Sequence, residues 1–283
     1  MLLSALCFGA ISILVLLALR TGMSLLELMQ WRFVVAAVIV AVALRGHVRA
    51  ARSRWLPLLL VGAVGQAAVT FVSLSALQFI RPAAMSFLFF TYPAWLATGA
   101  AMTGKVPFTR ARAVALVLAL SGVTIMLRPG SAELLDLRGV ALGLLAALLY
   151  ALYLPALSRF QTGLAPATSA FYVILGAALS FALAATLFTP QTVPHGTTVW
   201  LLIGLLAVVG TVLSFAFLVA GVAILGAVKT SVVGTAEPFF TAVLAAVILG
   251  DPIRLTTIAG GSLIAAAVVV TARDAARAEA LLH

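Results

Sequence analysis

The sequence predicts an all-α polytopic membrane protein, with ten transmembrane helices forming two inverted five-helix repeats. Three observations lead there. The first is an internal repeat. Trp55-Leu-Pro-Leu-Leu-Leu-Val-Gly-Ala-Val-Gly65 lies over Trp200-Leu-Leu-Ile-Gly-Leu-Leu-Ala-Val-Val-Gly210, a shift of 145 residues, and the same shift carries Pro93 onto Pro238 and Pro107 onto Pro252 without a gap. The second is composition. Of the 283 residues 64% are hydrophobic and 8% charged, and the mean hydropathy is +1.25; soluble domains carry about 25% charged residues. So few charges do not cover a water-soluble fold of this size. The third is the placement of the basic residues. The formal net charge is +10, yet these residues fall between apolar runs and form no dense patch. They read as topology signals rather than as a nucleic-acid surface.

A spanning helix needs about 20 apolar residues. Ten segments supply them, at 2–19, 25–44, 55–78, 82–103, 109–127, 139–157, 166–188, 198–221, 226–250 and 254–272. The first begins at Leu2 with no basic leader and no cleavage signal, so it is expected to belong to the mature protein. Every connection is short. Residues 1–128 form the first repeat, 129–138 the inter-repeat loop with Pro129-Gly130-Ser131, 139–272 the second repeat and 273–283 a short tail.

Five helices per repeat is an odd number, so the second copy must start from the opposite side of the membrane. Basic residues test this independently. With the N-terminus in the cytoplasm, the inner segments hold Arg45, Arg49, Arg52, Arg54, Lys105, Arg110, Arg112, Arg159, Arg273 and Arg277. The outer segments hold Arg20, Arg81, Arg128, Arg138 and Arg254. The positive-inside rule favours this orientation, with both termini cytoplasmic. Sister loops agree: 45–54 has four Arg, whereas 189–199 has neither Lys nor Arg.

Several segments resemble the drug/metabolite transporter superfamily, specifically its EamA-type ten-helix members. Gly22-Met-Ser-Leu-Leu-Glu-Leu-Met-Gln-Trp-Arg-Phe33 is similar to the family's opening of the second helix. Thr91-Tyr-Pro-Ala-Trp95 in the fourth segment and Glu237-Pro-Phe-Phe240 in the ninth are further matches. Where the family usually has Gly-Glu after those segments, this chain has Gly104-Lys105 and Gly250-Asp251. The aromatic fourth segment is similar to amino-acid exporters of the YddG type. The resemblance implies a cavity between the halves, alternating access, and export of amino acids or related small metabolites across a bacterial-type inner membrane.

The residues themselves suggest where a solute would sit. Thr230, Gly234, Glu237 and Thr241 are spaced i, i+4, i+7 and i+11, one face of a helix. A face with a carboxylate is costly against lipid, by about 2.5–3.5 kcal/mol at the bilayer centre. It should therefore look inward, either to a solute or to a structural partner. The 145-residue shift maps that face onto Met85, Phe89, Tyr92 and Leu96, an apolar and aromatic face. An aromatic wall opposite a polar one suits an amphipathic solute such as a hydrophobic amino acid. Pro93 and Pro238 break the two helices at related depths and are candidate gating points.

Gln66, with several hydrogen-bonding positions to satisfy, and its counterpart Thr211 are further candidates for the cavity lining. So is Tyr150, deep within its segment; Tyr153 lies one turn on. Arg32 follows Glu27 by five residues, which permits a pair without requiring one. Its alternatives are orienting the second helix or acting in transport.

No cofactor or metal is expected. His47, His195 and His283 lie in loops or at the terminus, Cys7 is single, and no phosphate-binding or nucleophile motif occurs. The leading expectation is a secondary transporter whose partners are a small-molecule substrate and the lipid bilayer, not nucleic acid. A channel or a lipid-modifying membrane enzyme is the alternative. Small residues run through all the helices, so the oligomeric state stays open.

Overall fold

The computed structural model describes residues 1–44, 52–102, 109–126, 136–190, 193–218 and 233–280, and among them every regular element is a helix. In chain order these are α1 (Leu2–Leu19), α2 (Leu25–Ala43), α3 (Trp55–Gln78), α4 (Pro82–Phe89), α5 (Tyr92–Met102) and α6 (Arg110–Met126). Then come α7 (Leu137–Gln161), α8 (Pro166–Phe188), α9 (Thr197–Leu218), α10 (Glu237–Leu249) and α11 (Leu255–Ala280). Seven of them are long and apolar enough to cross a membrane. The fourth segment of the sequence is broken into α4 and α5, and α6 has 17 residues.

Local signals explain the helix ends. Ser24 and Glu27 form a capping box at the start of α2, with Ser24 N–H donating to Glu27 Oε2 at 2.9 Å and Glu27 N–H to Ser24 Oγ at 3.2 Å. Glu27 thus closes its own helix, and Arg32 bonds instead across to α9. Pro82 and Pro166 open α4 and α8, where a missing backbone donor costs nothing. Gly250 ends α10 in the left-handed region at φ 73°, which an L side chain rarely adopts.

The two long helices that carry the tryptophan repeat share a defect. In α3 the turn Val61–Gln66 widens to a π-helix, and in α9 so does Val208–Leu213. A π turn pushes carbonyls off the regular ladder, and neighbouring helices cap them. Ser180 Oγ donates to Ala63 O at 2.7 Å. On the other side Arg32 Nη2 donates to Gly210 O at 3.2 Å, and Arg32 Nε to Thr211 Oγ1 at 3.3 Å.

The breaks in the halves also correspond. Thr91 N–H bonds to Leu88 O and Ala236 N–H to Val233 O, both at 3.1 Å. Each bond sits at the same place under the shift, just before Tyr92-Pro93 and Glu237-Pro238. The prolines occupy the first turns of α5 and α10, where the chain resumes its helix.

Packing repeats with the halves exchanged. Helices α2 and α8 pack together, as do α6 and α11, while α3 packs on α7 and α8 just as α9 packs on α1 and α2. Backbones come close where side chains vanish. A Cβ on Gly62 or Gly176 would meet backbone across the α3–α8 contact, and one on Gly122 or Gly260 would do so across α6–α11. Phe87, Leu28, Met29 and Ile264 are fully buried within the bundle. Outward-facing Val42, Val64, Leu183 and Val247 stay exposed, which suits helices bathed in lipid. Trp55 stacks on Tyr172 at one end of the bundle, and its counterpart Trp200 packs edge-on to Trp31.

Candidate functional site

Three of the aromatic residues singled out above converge. Phe89 ends α4, Tyr92 begins α5 and Tyr150 lies midway along α7. Their ring centroids are 5.8 Å apart for Phe89–Tyr92, 5.0 Å for Phe89–Tyr150 and 4.8 Å for Tyr92–Tyr150. The turn at Phe90–Thr91 is what allows two successive helices to present rings to one point. Thr91 Oγ1 bonds back to Leu88 O at 2.8 Å and stabilises that turn.

Glu237 approaches this group from α10, close enough to both Tyr92 and Tyr150 to interact with them electrostatically. It is the first residue of its helix, where the backbone dipole favours a negative charge. Among the described residues its carboxylate has no hydrogen-bond donor and no cation beside it. It is half-buried. The arrangement is therefore a cluster of three rings beside a carboxylate that has no hydrogen-bond partner among the described residues. Rings and a carboxylate together match an apolar group joined to a cation, through dispersion, cation–π attraction and charge pairing.

The other sequence candidates lie elsewhere. Gly234 is buried beside the Met1 methyl, which a Cβ at this position would just touch. Thr241 is buried against α1, with its hydroxyl 3.3 Å from Gly9 O. The turn at Thr235–Ala236 interrupts the helical period, so these two residues and Glu237 do not share one open face. Thr230 lies outside the described residues. Gln66 donates to Thr70 Oγ1 within its own helix at 3.0 Å, and Thr211 is buried and bonded to Arg32 rather than to the aromatic group.

Two neighbours matter more than the sequence suggested. Tyr153 stacks on Tyr150 at 5.7 Å and fills the space that Gly65 leaves beside α3. Arg32 is 5% exposed and spans from α2 to α9. The signal for Tyr153 was present, one turn after Tyr150. That for Arg32 was not, since its partners lie 178 and 179 residues away.

On the far side from Met1, α4 and α10 pack together. Thr241 and Ser86 bring their hydroxyls within 3.5 Å, and Phe87 packs edge-on to Phe239 at 5.0 Å.

Bundle, apolar exterior and doubled architecture define a multi-pass membrane protein. The model of the EamA-like transporter family matches residues 1–128 and again 137–273, and the chain belongs to that family. It is thus a membrane transporter of small molecules. A solved structure titled only as a crystal structure of a protein is similar over 98% of this chain and 98% of its own, with a TM-score of 0.62 and 21% identity. That likeness concerns the fold. A comparison with curated proteins finds no match.

Proposed function

We propose that this chain is a secondary transporter that exports amino acids or related small metabolites across the inner membrane by alternating access. Phe89, Tyr92 and Tyr150 hold the apolar part of the solute, and Glu237 holds its ammonium group. One observation carries the reading: Tyr92 and Glu237, equivalent under the 145-residue shift, each begin a helix after a break and approach one another. Supporting it, no described residue occupies the carboxylate. Pro93 and Pro238 are the gating points of the scheme, since a helix already broken bends there without losing further hydrogen bonds.

The scheme includes ten spans, the second five inverted, with both termini cytoplasmic. The exchange of packing partners between halves supports it. So do the polar groups that share an end: Arg112 pairs with Asp274 at 3.0 Å on the side assigned to the cytoplasm, and Arg81 with Asp251 on the other. Single cysteines in place of Arg49 and Thr192 test orientation with an impermeant thiol reagent on intact cells. Labelling at Thr192 alone is expected; the reverse pattern overturns the orientation.

Function is tested in proteoliposomes holding only this chain, with a panel of labelled amino acids and with or without a proton gradient. Saturable uptake and counterflow are expected, and both distinguish a carrier from a channel. Glu237→Gln should reduce kcat/KM for the best amino acid by about tenfold or more while leaving the purified protein monodisperse. Unchanged transport by that variant removes Glu237 from the site.

A further inference from the structure

A groove of about 590 Å³ runs between α3 and α7 on the outward side of the bundle. The two helices are antiparallel, since Gly65 meets Tyr153 while Gly139 meets Phe79 and Ile80 just past α3. Small residues hollow the groove out, Gly65, Ala68 and Ala156, and Leu60, Val64 and Leu152 form an exposed rim. The widened turn Val61–Gln66 makes up part of the α3 wall. The floor is buried Tyr153, whose ring also stacks on Tyr150 of the aromatic group. On α3 the lining runs from Leu56 to Ala68, twelve residues, or about 18 Å at 1.5 Å per residue.

The length and the ends of the groove say what fits it. Water does not fill so apolar a hollow. One leaflet supplies half of a hydrocarbon core of about 30 Å, so the groove is as long as a single acyl chain in its leaflet. At the end marked by Leu56 and Phe160 the residues become interfacial in character. Trp55 stacks there on Tyr172 at 5.9 Å, and the exposed Arg159 lies over the Phe160 ring at 5.8 Å. Among the described residues Arg159 has no carboxylate partner. Apolarity alone selects nothing, because lipid tails are as apolar as leucine. Selection comes from shape, which restores dispersion contacts that an unfilled hollow forfeits, and from a guanidinium that attracts a phosphate.

We propose that the groove between α3 and α7 is a phospholipid site, in which one acyl chain lies along Tyr153 and the phosphate sits at the Arg159 end. The chain fills the hollow left by Gly65, Ala68 and Ala156. It backs the ring that stacks on Tyr150, so the lipid becomes part of the wall behind the aromatic group.

Photo-crosslinking of the full chain tests this, in phosphatidylcholine nanodiscs doped with a phosphatidylglycerol probe that carries a diazirine midway along one acyl chain. Peptide mass spectrometry reads where the probe attaches. Attachment per residue should be about threefold or more higher at Leu60, Val64 and Leu152 than at Leu183 and Leu187, which are equally exposed on the outward face of α8. Val64→Trp fills the groove from a position that is 70% exposed, so it should bring groove labelling down to the α8 level and leave α8 labelling unchanged. A diacylglycerol probe with the same chains lacks the phosphate and should label the groove about threefold less, and Arg159→Gln should erase that difference. Equal labelling of groove and α8 in the parent, unaltered groove labelling in Val64→Trp, or equal labelling by the two probes overturns the proposal. So does a groove that takes no lipid label but is linked to a second chain by a bifunctional reagent, which would mean that another copy covers it. Leu60→Trp, at a rim position 53% exposed, carries the test if Val64→Trp is not monodisperse.

Discussion

The chain breaks its helix at Thr91 and again at Ala236, with the same hydrogen bond and the same proline two residues on. The residue between differs. In the first half it is Tyr92 and in the second Glu237. Duplication supplied one geometry twice, and divergence then placed a ring on one copy and a charge on the other. The shared part, a turn plus a proline, is what positions a side chain at the bundle's centre. The unshared part is what sets an aromatic ring near a carboxylate.

A second pair teaches the same lesson. The π turn of α3 is capped by the neutral hydroxyl of Ser180, that of α9 by the buried guanidinium of Arg32. A single hydroxyl suffices for one displaced carbonyl. The arginine reaches two acceptors on α9, Gly210 O and Thr211 Oγ1, and lies over the Phe33 ring at 5.2 Å. It links α2 to α9 through two hydrogen bonds, where Ser180 links α8 to α3 through one.

The largest disruption should come where the two halves touch backbone to backbone. Gly176→Leu has no space against Leu59 O, so it should cost at least about 1–3 kcal/mol and abolish monodisperse protein, read by size exclusion and thermal melting. Gly204→Leu, where a Cβ meets nothing within 4 Å, should melt like the parent. Equal behaviour of the two would remove the close-packed contact from the account. Next come the caps of the π turns. Arg32→Ala strands two buried acceptors and should lower stability by about 1–3 kcal/mol. Ser180→Ala should cost about 0.6 kcal/mol, the usual worth of one hydroxyl bond between membrane helices. A larger loss for Ser180→Ala would invert the comparison. The smallest effect concerns selectivity. Tyr92→Ala should lower kcat/KM for bulky apolar amino acids by about tenfold and for glycine hardly at all, since the rings contact only a side chain. An equal loss for both would mean that Tyr92 holds the fold rather than the solute.

Much of this was legible in the residues. The shift that aligns Trp55 with Trp200 also locates both breaks, because prolines leave a mark that apolar drift does not erase. Tyr92 and Tyr150 stood out because polar-tipped rings deep in an apolar segment need a reason, and Phe89 because the shift pairs it with Gly234 on the polar face. Helical periodicity failed at Gly234 and Thr241 because it assumes an unbroken helix, and the turn at Thr235–Ala236 rotates α10 relative to the residues before it. The π turns left no trace, since widening one turn changes hydrogen bonding and not composition. Nor did the Arg81–Asp251 pair, whose members are 170 residues apart.

The central claim is that the equivalent positions Tyr92 and Glu237 act on one solute. A double-mutant cycle in proteoliposomes measures this, using Tyr92→Phe, Glu237→Gln and the pair, with kcat/KM for the best amino acid of the panel. If the two side chains share a site, the double variant should lose less than the two single losses combined, with a coupling of about 1 kcal/mol or more. Losses that add to within about 0.5 kcal/mol would show that the two positions act independently and that the two walls do not form one site.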